Sequence, residues 1–175
     1  MTILLTNDDG IYAPGLAALY RELKRLGEVT VVAPESEQSA VGHAISLITP
    51  LRVKEGAIHG GVDGWAVSGT PADCVKIALA ELLPEPPELV VSGINLGSNV
   101  GINVLYSGTV SAATEAAILG VKGVAFSLDS YDQNADFASA ASLARELLEQ
   151  VLAWAAWNHG VCLNINLPNL PRALV

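Results

Sequence analysis

The chain has 175 residues, of which 51% are hydrophobic and 15% charged; that suits one domain with a sizeable core and excludes a disordered chain. Its formal charge of −9 argues against long nucleic acid as a ligand, which needs clustered Lys and Arg, although one bound cation can reverse the field at a single site. Two isolated cysteines, Cys74 and Cys162, are too few for a disulfide framework or a Cys-type zinc site and read as core fillers.

The chain begins with a continuous apolar run, Ile3-Leu4-Leu5, of the kind buried on both faces of a parallel sheet. Thr6-Asn7-Asp8-Asp9-Gly10 follows at its carboxyl end. A helix is predicted from Pro14, with Leu16, Leu19, Tyr20, Leu23 and Leu26 on one face and Gly27 as its stop. Val29–Ala33 reads as the second strand, closed by Pro34, and Glu35–His43 as a loop or short helix. Residues 46–69 carry Pro50, Gly56, Gly60, Gly61 and Gly64 between short apolar segments, and read as a β excursion. Thr70-Pro71-Ala72-Asp73 has the cap, first-turn proline and capping-box acid of a helix start, with the helix running to about Leu83. Glu88–Ser92 is the next predicted strand and Gly93–Gly108 a long loop. A small-residue helix starts near Ser107–Ser111 and ends by Gly120. Val124–Leu128 is predicted as strand, Ala135 to about Trp157 as helix, and Val161–Ile165 as a last strand before a connector through Leu167-Pro168-Asn169-Leu170-Pro171. Alternating strands and helices predict an α/β fold with a mostly parallel sheet. No apolar run approaches a membrane span and no leader is visible before the first strand, so a cytoplasmic location is expected.

Loops that follow parallel strands gather on one edge of the sheet, where ligands bind. After the successive apolar runs come Asn7, Asp8 and Asp9; then Ser36, Gln38 and Ser39; then Ser92, Asn95, Ser98 and Asn99; then Asp129. These are oxygen donors, which suit hard cations such as Mg²⁺, Mn²⁺ or Ca²⁺. Two adjacent carboxylates also need a cation, a proton or strong donors to be stable side by side. Ser107-Gly108-Thr109 places two hydroxyls at a helix N-terminus, where free N–H groups and the helix dipole favour an anion. A hard cation beside an anion pocket points to phosphate-ester chemistry. Each feature also has an ordinary structural reading: Asp8-Asp9-Gly10 as a turn, Ser39 as a helix cap, Asn95 as a turn residue, Ser107 as a cap. His43, His59 and His159 lack paired spacing and read as structural or surface residues; Trp65, Trp154 and Trp157 read as packing residues. Neither G-x-x-x-x-G-K-[ST] nor G-x-G-x-x-G occurs.

Five blocks occur in order: Met1–Gly10, Val32–Ser39, Gly69–Val75, Val91–Asn99 and Tyr106–Ala113. In these the chain closely resembles the SurE family of survival-protein 5′-nucleotidases. The resemblance implies a Rossmann-like three-layer α/β/α fold. It implies a divalent-metal-dependent phosphatase acting on nucleoside monophosphates, with 3′-nucleotidase and short-chain polyphosphatase activity as further possibilities. One Mg²⁺ or Mn²⁺ per subunit would be held by Asp8, Asp9, Ser39 and Asn95. Ser107, Gly108 and Thr109 would lie at the substrate phosphate, and Asn7 and Asn99 would support them. A metal-activated water would attack phosphorus, with Asp8 or Asp9 taking its proton. Two other readings remain: a covalent aspartyl-phosphate route, and a nucleotide or metal sensor without turnover. Family members normally continue beyond this length into a C-terminal arm that crosses to a neighbouring subunit. Residues 1–175 are therefore expected to form a single phosphatase domain without that arm, and the homodimer or homotetramer that the resemblance implies would depend on it.

Overall fold

A computed structural model describes residues 1–58, 62–158 and 160–170. The expectations placed on His59, Gly60, Gly61, His159 and Pro171–Val175 lie outside the described residues. The elements are β1 (Thr2–Thr6), α1 (Pro14–Leu23), β2 (Glu28–Pro34), β3 (Val53–Ile58), β4 (Val62–Val67), α2 (Pro71–Ile77), β5 (Leu89–Leu96), α3 (Gly108–Ile118), β6 (Lys122–Asp129), α4 (Phe137–Leu152) and β7 (Cys162–Pro168). A π-helical turn, Ala78–Leu82, continues α2, and a 3₁₀ turn, Gly101–Leu105, precedes α3.

The strands form one sheet in the order β3-β4-β2-β1-β5-β6-β7. Every neighbouring pair is parallel except β3–β4. The expected β excursion is thus a hairpin, and its second strand extends the main sheet by pairing with β2. Alternation along β1 assigns the two layers: Ile3 and Leu5 pack with Leu16, Leu19 and Leu23 of α1 and with Ala141, Ala144 and Leu148 of α4. Leu4 points the other way, into a core shared with Val75 of α2 and with Ala112 and Ala116 of α3. Burying each of these leucines contributes about 2 kcal/mol. This is the predicted three-layer arrangement. It sets β1 at the centre, with β2 and β5 beside it, so the strand order switches from one side of β1 to the other.

Several boundaries differ from the sequence reading. The first helix ends at Leu23, one turn before Gly27. Gly27 serves a close approach instead: a Cβ there would lie 2.0 Å from the Met1 carbonyl oxygen. No helix forms over Glu35–His43. The strand β5 continues through the predicted loop to Leu96, with a register shift against β6 between Ser92 and Asn95. Asn95 therefore sits on a strand end rather than in a turn. The last helix stops at Leu152, and Leu167 and Pro168 belong to β7 rather than to a connector. Trp157 is buried and its indole N–H donates to the Val161 carbonyl at 3.0 Å, whereas Trp154 is exposed and does not pack as expected. Cys74 is fully buried; Cys162 is only partly so.

Candidate active site

The carboxyl ends of β1 and β5 meet at the centre of the sheet; the loop after β1 carries Asp8 and Asp9, and the end of strand β5 carries Asn95. Asn7 closes the β1 turn, its side-chain amide donating to the Gly10 carbonyl at 2.9 Å. Its Oδ1 is buried without a partner. The loop after β2 folds back over the same turn, and the Gln38 N–H donates to the Asp8 carbonyl at 2.8 Å. That bond delivers Glu37 and Ser39 to the aspartates.

Asp8 is buried at 6% exposure. Its carboxylate accepts a short hydrogen bond from the Thr109 hydroxyl. Desolvation dominates and pushes its carboxyl above the ordinary range, against the lowering effect of the Thr109 hydroxyl and N–H. Asp9 is pushed up to about 7, first by burial, then by the negative charges of Asp8 and Glu37, with the Leu96 N–H opposing. Glu37 itself accepts a short hydrogen bond from the Ser39 hydroxyl. Three carboxylates therefore share this edge, and the sequence reading missed Glu37. The signal was present, since Glu37 lies between Ser36 and Gln38 on the strand-end segment already singled out.

Two cavities meet here. One, of about 310 Å³, is lined by Asp9, Glu37, Ser39, Asn95, Gln133 and Phe137 among others. The other, of about 260 Å³, is lined by Asp8, Ser39, Asn95, Asn99, Tyr106 and Ser107 among others. Ser39 and Asn95 border both, so the four residues expected at a metal are brought around one place. A larger cavity of about 490 Å³ beside Tyr12, Glu35 and Lys54 is lined by none of them.

The donor set fits a hard divalent cation. The Asn95 amide N–H donates to the Gly97 carbonyl at 2.7 Å, which leaves Oδ1 as a free acceptor. The Ser39 hydroxyl donates its proton to Glu37 and so keeps its lone pairs outward. A cation would also relieve the repulsion that raises Asp9. No group of three or more His, Cys, Asp or Glu among the described residues has metal-holding geometry. Any such ion would thus need the neutral oxygens of Ser39 and Asn95 beside the two aspartates.

Ser107 caps α3, its hydroxyl oxygen accepting the Val110 N–H at 3.1 Å. The helix can approach so closely because it is built of small residues: a Cβ on Gly108 would lie 2.8 Å from Asp8 Cβ, and one on Gly123 of β6 would lie 2.1 Å from the Ala113 carbonyl oxygen. Ser107 borders the smaller cavity; Thr109 is fully buried and its hydroxyl is committed to Asp8. Thr109 therefore orients a carboxylate, and of the three residues expected at a phosphate only Ser107 lines this cavity. Asn99 is a structural tie: its backbone N–H donates to Asn166 Oδ1 at 2.7 Å, its side-chain amide donates to Ser127 Oγ at 2.9 Å, and its carbonyl accepts from the Asn164 amide at 2.8 Å. The sequence reading named none of those three partners, which lie on β6 and β7.

The family model for survival protein SurE matches residues 3–175. The chain belongs to the SurE family. A protein of Syntrophobacter fumaroxidans named 5′-nucleotidase SurE is 57% identical over 171 residues, covering 98% of this chain and 68% of that protein. Its namesake in Syntrophus aciditrophicus is also 57% identical, with 98% and 64% covered. A crystal structure of the SurE protein from Aquifex aeolicus superposes with a TM-score of 0.86 at 41% identity, covering 99% of this chain and 68% of that one. The chain thus spans about two thirds of the length of these SurE relatives. No helix among the described residues is long and apolar enough to cross a membrane.

Proposed function

We propose that this SurE domain hydrolyses nucleoside 5′-monophosphates to nucleoside and phosphate. The observation that carries the reading is the meeting of two desolvated carboxylates, Asp8 and Asp9, with Ser39, Asn95 and the α3 N-terminus around shared cavities. The names borne by relatives at 57% identity support the substrate class.

Asp8, Asp9, Ser39 and Asn95 would hold one Mg²⁺ or Mn²⁺. Such an ion supplies Lewis-acid polarisation of a phosphoryl oxygen and makes water a better nucleophile near neutral pH. The Ser107 hydroxyl and the open N–H groups of α3 receive the equatorial phosphoryl oxygens. Thr109 holds the Asp8 carboxylate in one orientation. Asp8 and Asp9 both stand where they can accept the proton, and burial raises both carboxyls, which favours that role in each. Water attacks phosphorus, its proton passes to one of these two aspartates, the P–O ester bond breaks, and the nucleoside oxygen leaves and takes up a proton. The same site would accept 3′-monophosphates and short polyphosphates, since only the phosphoryl group meets these residues.

Phosphate release from AMP and GMP with Mn²⁺, and its loss with excess chelator, tests the reading. Asp8→Asn should abolish turnover and leave the fold intact; full activity in that variant would contradict it. Tight nucleotide binding without phosphate release would identify a sensor. The stereochemical course at phosphorus, followed with an isotopically chiral phosphate ester, separates direct attack, which inverts the configuration, from an aspartyl-phosphate route, whose two displacements retain it.

A further inference from the structure

Ser39 does not stand on a regular element. It opens an irregular strap, residues 39–50, between β2 and β3. The backbone turns sharply just after it: Ala40 has φ 56° and Gly42 φ 60°, and the first is a left-handed position that alanine disfavours. The strap has no ladder of its own to hold that shape. It is held from outside. The Gly42 N–H donates to the Tyr106 carbonyl at 3.0 Å, and the Thr70 hydroxyl donates to the Ala44 carbonyl at 2.7 Å. Ser46 donates through its N–H and its hydroxyl to the Asp73 carboxylate, at 2.9 and 2.8 Å.

The remaining anchor differs in kind. His43 Nε2 lies 2.7 Å from Glu115 Oε2. Glu115 is only 5% exposed and stands on α3, the helix whose first residues face Asp8. Its other oxygen accepts from the Lys76 ammonium at 3.2 Å, so α2, α3 and the strap converge on one buried carboxylate. Burying a carboxylate is costly unless it is paired on both oxygens. Neither His43 nor Glu115 touches the cavities around Asp8 and Asp9. A plain surface ion pair would not need a buried acid.

We propose that His43 and Glu115 are positioning residues: the pair latches the strap to α3 and so fixes Ser39 relative to Asp8 and the phosphate end of that helix. Ser39 then reaches the site preset rather than by ordering the strap on each encounter. The consequence for turnover rests on the proposed hydrolysis; the latch itself does not.

Hydrogen–deuterium exchange on the metal-free protein, comparing wild type, His43→Ala and His43→Gln, reads the latch directly. His43 keeps 32% of its side chain exposed, so its truncation leaves the core intact. Amides of residues 40–46 should exchange about tenfold faster in His43→Ala, and return to within about twofold of wild type in His43→Gln, whose amide can still donate to Glu115. With AMP as substrate, the Mn²⁺ concentration for half-maximal phosphate release should rise about tenfold in His43→Ala, with most of kcat recovered at saturating Mn²⁺. Equal exchange in all three proteins, or His43→Gln behaving as His43→Ala, would overturn the latch. Faster exchange with an unchanged Mn²⁺ requirement would overturn its role toward Ser39. If wild type releases no phosphate at all, the proposed hydrolysis fails while the exchange comparison still decides the latch.

Discussion

Thr109 shows how much one hydroxyl can carry. It is fully buried and donates to Asp8, whose own burial already disfavours its charge. Removing that donor leaves a buried carboxylate less satisfied, so Thr109→Val should destabilise the fold by about 1–3 kcal/mol, whereas Thr109→Ser should keep most of the stability. Denaturant titration of both variants reads the difference, and turnover should follow the same order. Gly108 makes a second, steric test. A methyl group there would sit 2.8 Å from Asp8 Cβ and 3.1 Å from its Oδ2, so Gly108→Ala must push α3 off the carboxylate. The expected cost is about 1–3 kcal/mol in stability, with a larger loss in kcat, because the misplaced groups are those proposed to react. The placement of Asp8, Asp9, Ser39 and Asn95 at one sheet edge was legible in the sequence because each follows an apolar run; their selection from the other polar residues there came only with the SurE resemblance. The commitment of Thr109 to Asp8 was not legible, since the two are 101 residues apart and no local spacing encodes the contact.

At the level of elements, signals that act within one turn were read correctly. The Thr70–Asp73 capping box is present in both directions, as its i, i+3 spacing requires. Ser107 likewise caps α3. What depended on distant pairing was misread: β5 runs on to Leu96 because Asn95 and Leu96 find partners in Ser127 and Leu128 of β6. Nothing in the glycines and asparagines of that stretch announces such partners. The start of α4 shows a local signal that was missed, placing the helix from Ala135 when Asp136 is its cap. The Asp136 carboxylate accepts the Ala138 and Ser139 N–H groups at 3.1 and 3.0 Å and the Ser139 hydroxyl at 2.6 Å. These bonds, led by the Ser139 hydroxyl, hold its carboxyl below the ordinary range. A depressed carboxyl stabilises the fold above its unfolded pKa and ceases to do so as pH falls through its folded one. Asp136→Ala should therefore cost about 1 kcal/mol at neutral pH, as lost N-caps do, and the gap from wild type should close as pH falls below the ordinary carboxylate range. Thermal melts of both proteins from neutral to acid pH measure it.

For the molecule as a whole, the central site sets a conflict between stability and function. A chain of formal charge −9 carries Asp8, Asp9 and Glu37 at one sheet edge, two of them desolvated. Without a cation this arrangement is strained by like charges, and the rest of the fold must hold it. A divalent ion that binds only the folded site adds about 2.7 kcal/mol when its concentration is 100 times its Kd. For a domain of this size that corresponds to a melting temperature higher by roughly 5–10 °C. Screening of the overall negative charge would also raise the melting temperature, but monovalent salt at matched ionic strength reproduces that part. The specific part should vanish in Asp9→Asn and shrink in Asn95→Ala, which removes one neutral oxygen and spares both carboxylates. The metal-free Asp9→Asn protein should itself melt higher than metal-free wild type, because one of two crowded charges is gone. A melting temperature that responds equally to Mn²⁺ and to matched NaCl, or a full Mn²⁺ shift in Asp9→Asn, would remove the cation from this site. The opposite pattern, a gain on losing the charge and a loss of the metal response with it, follows only if the carboxylates are kept together for the ion rather than for the fold.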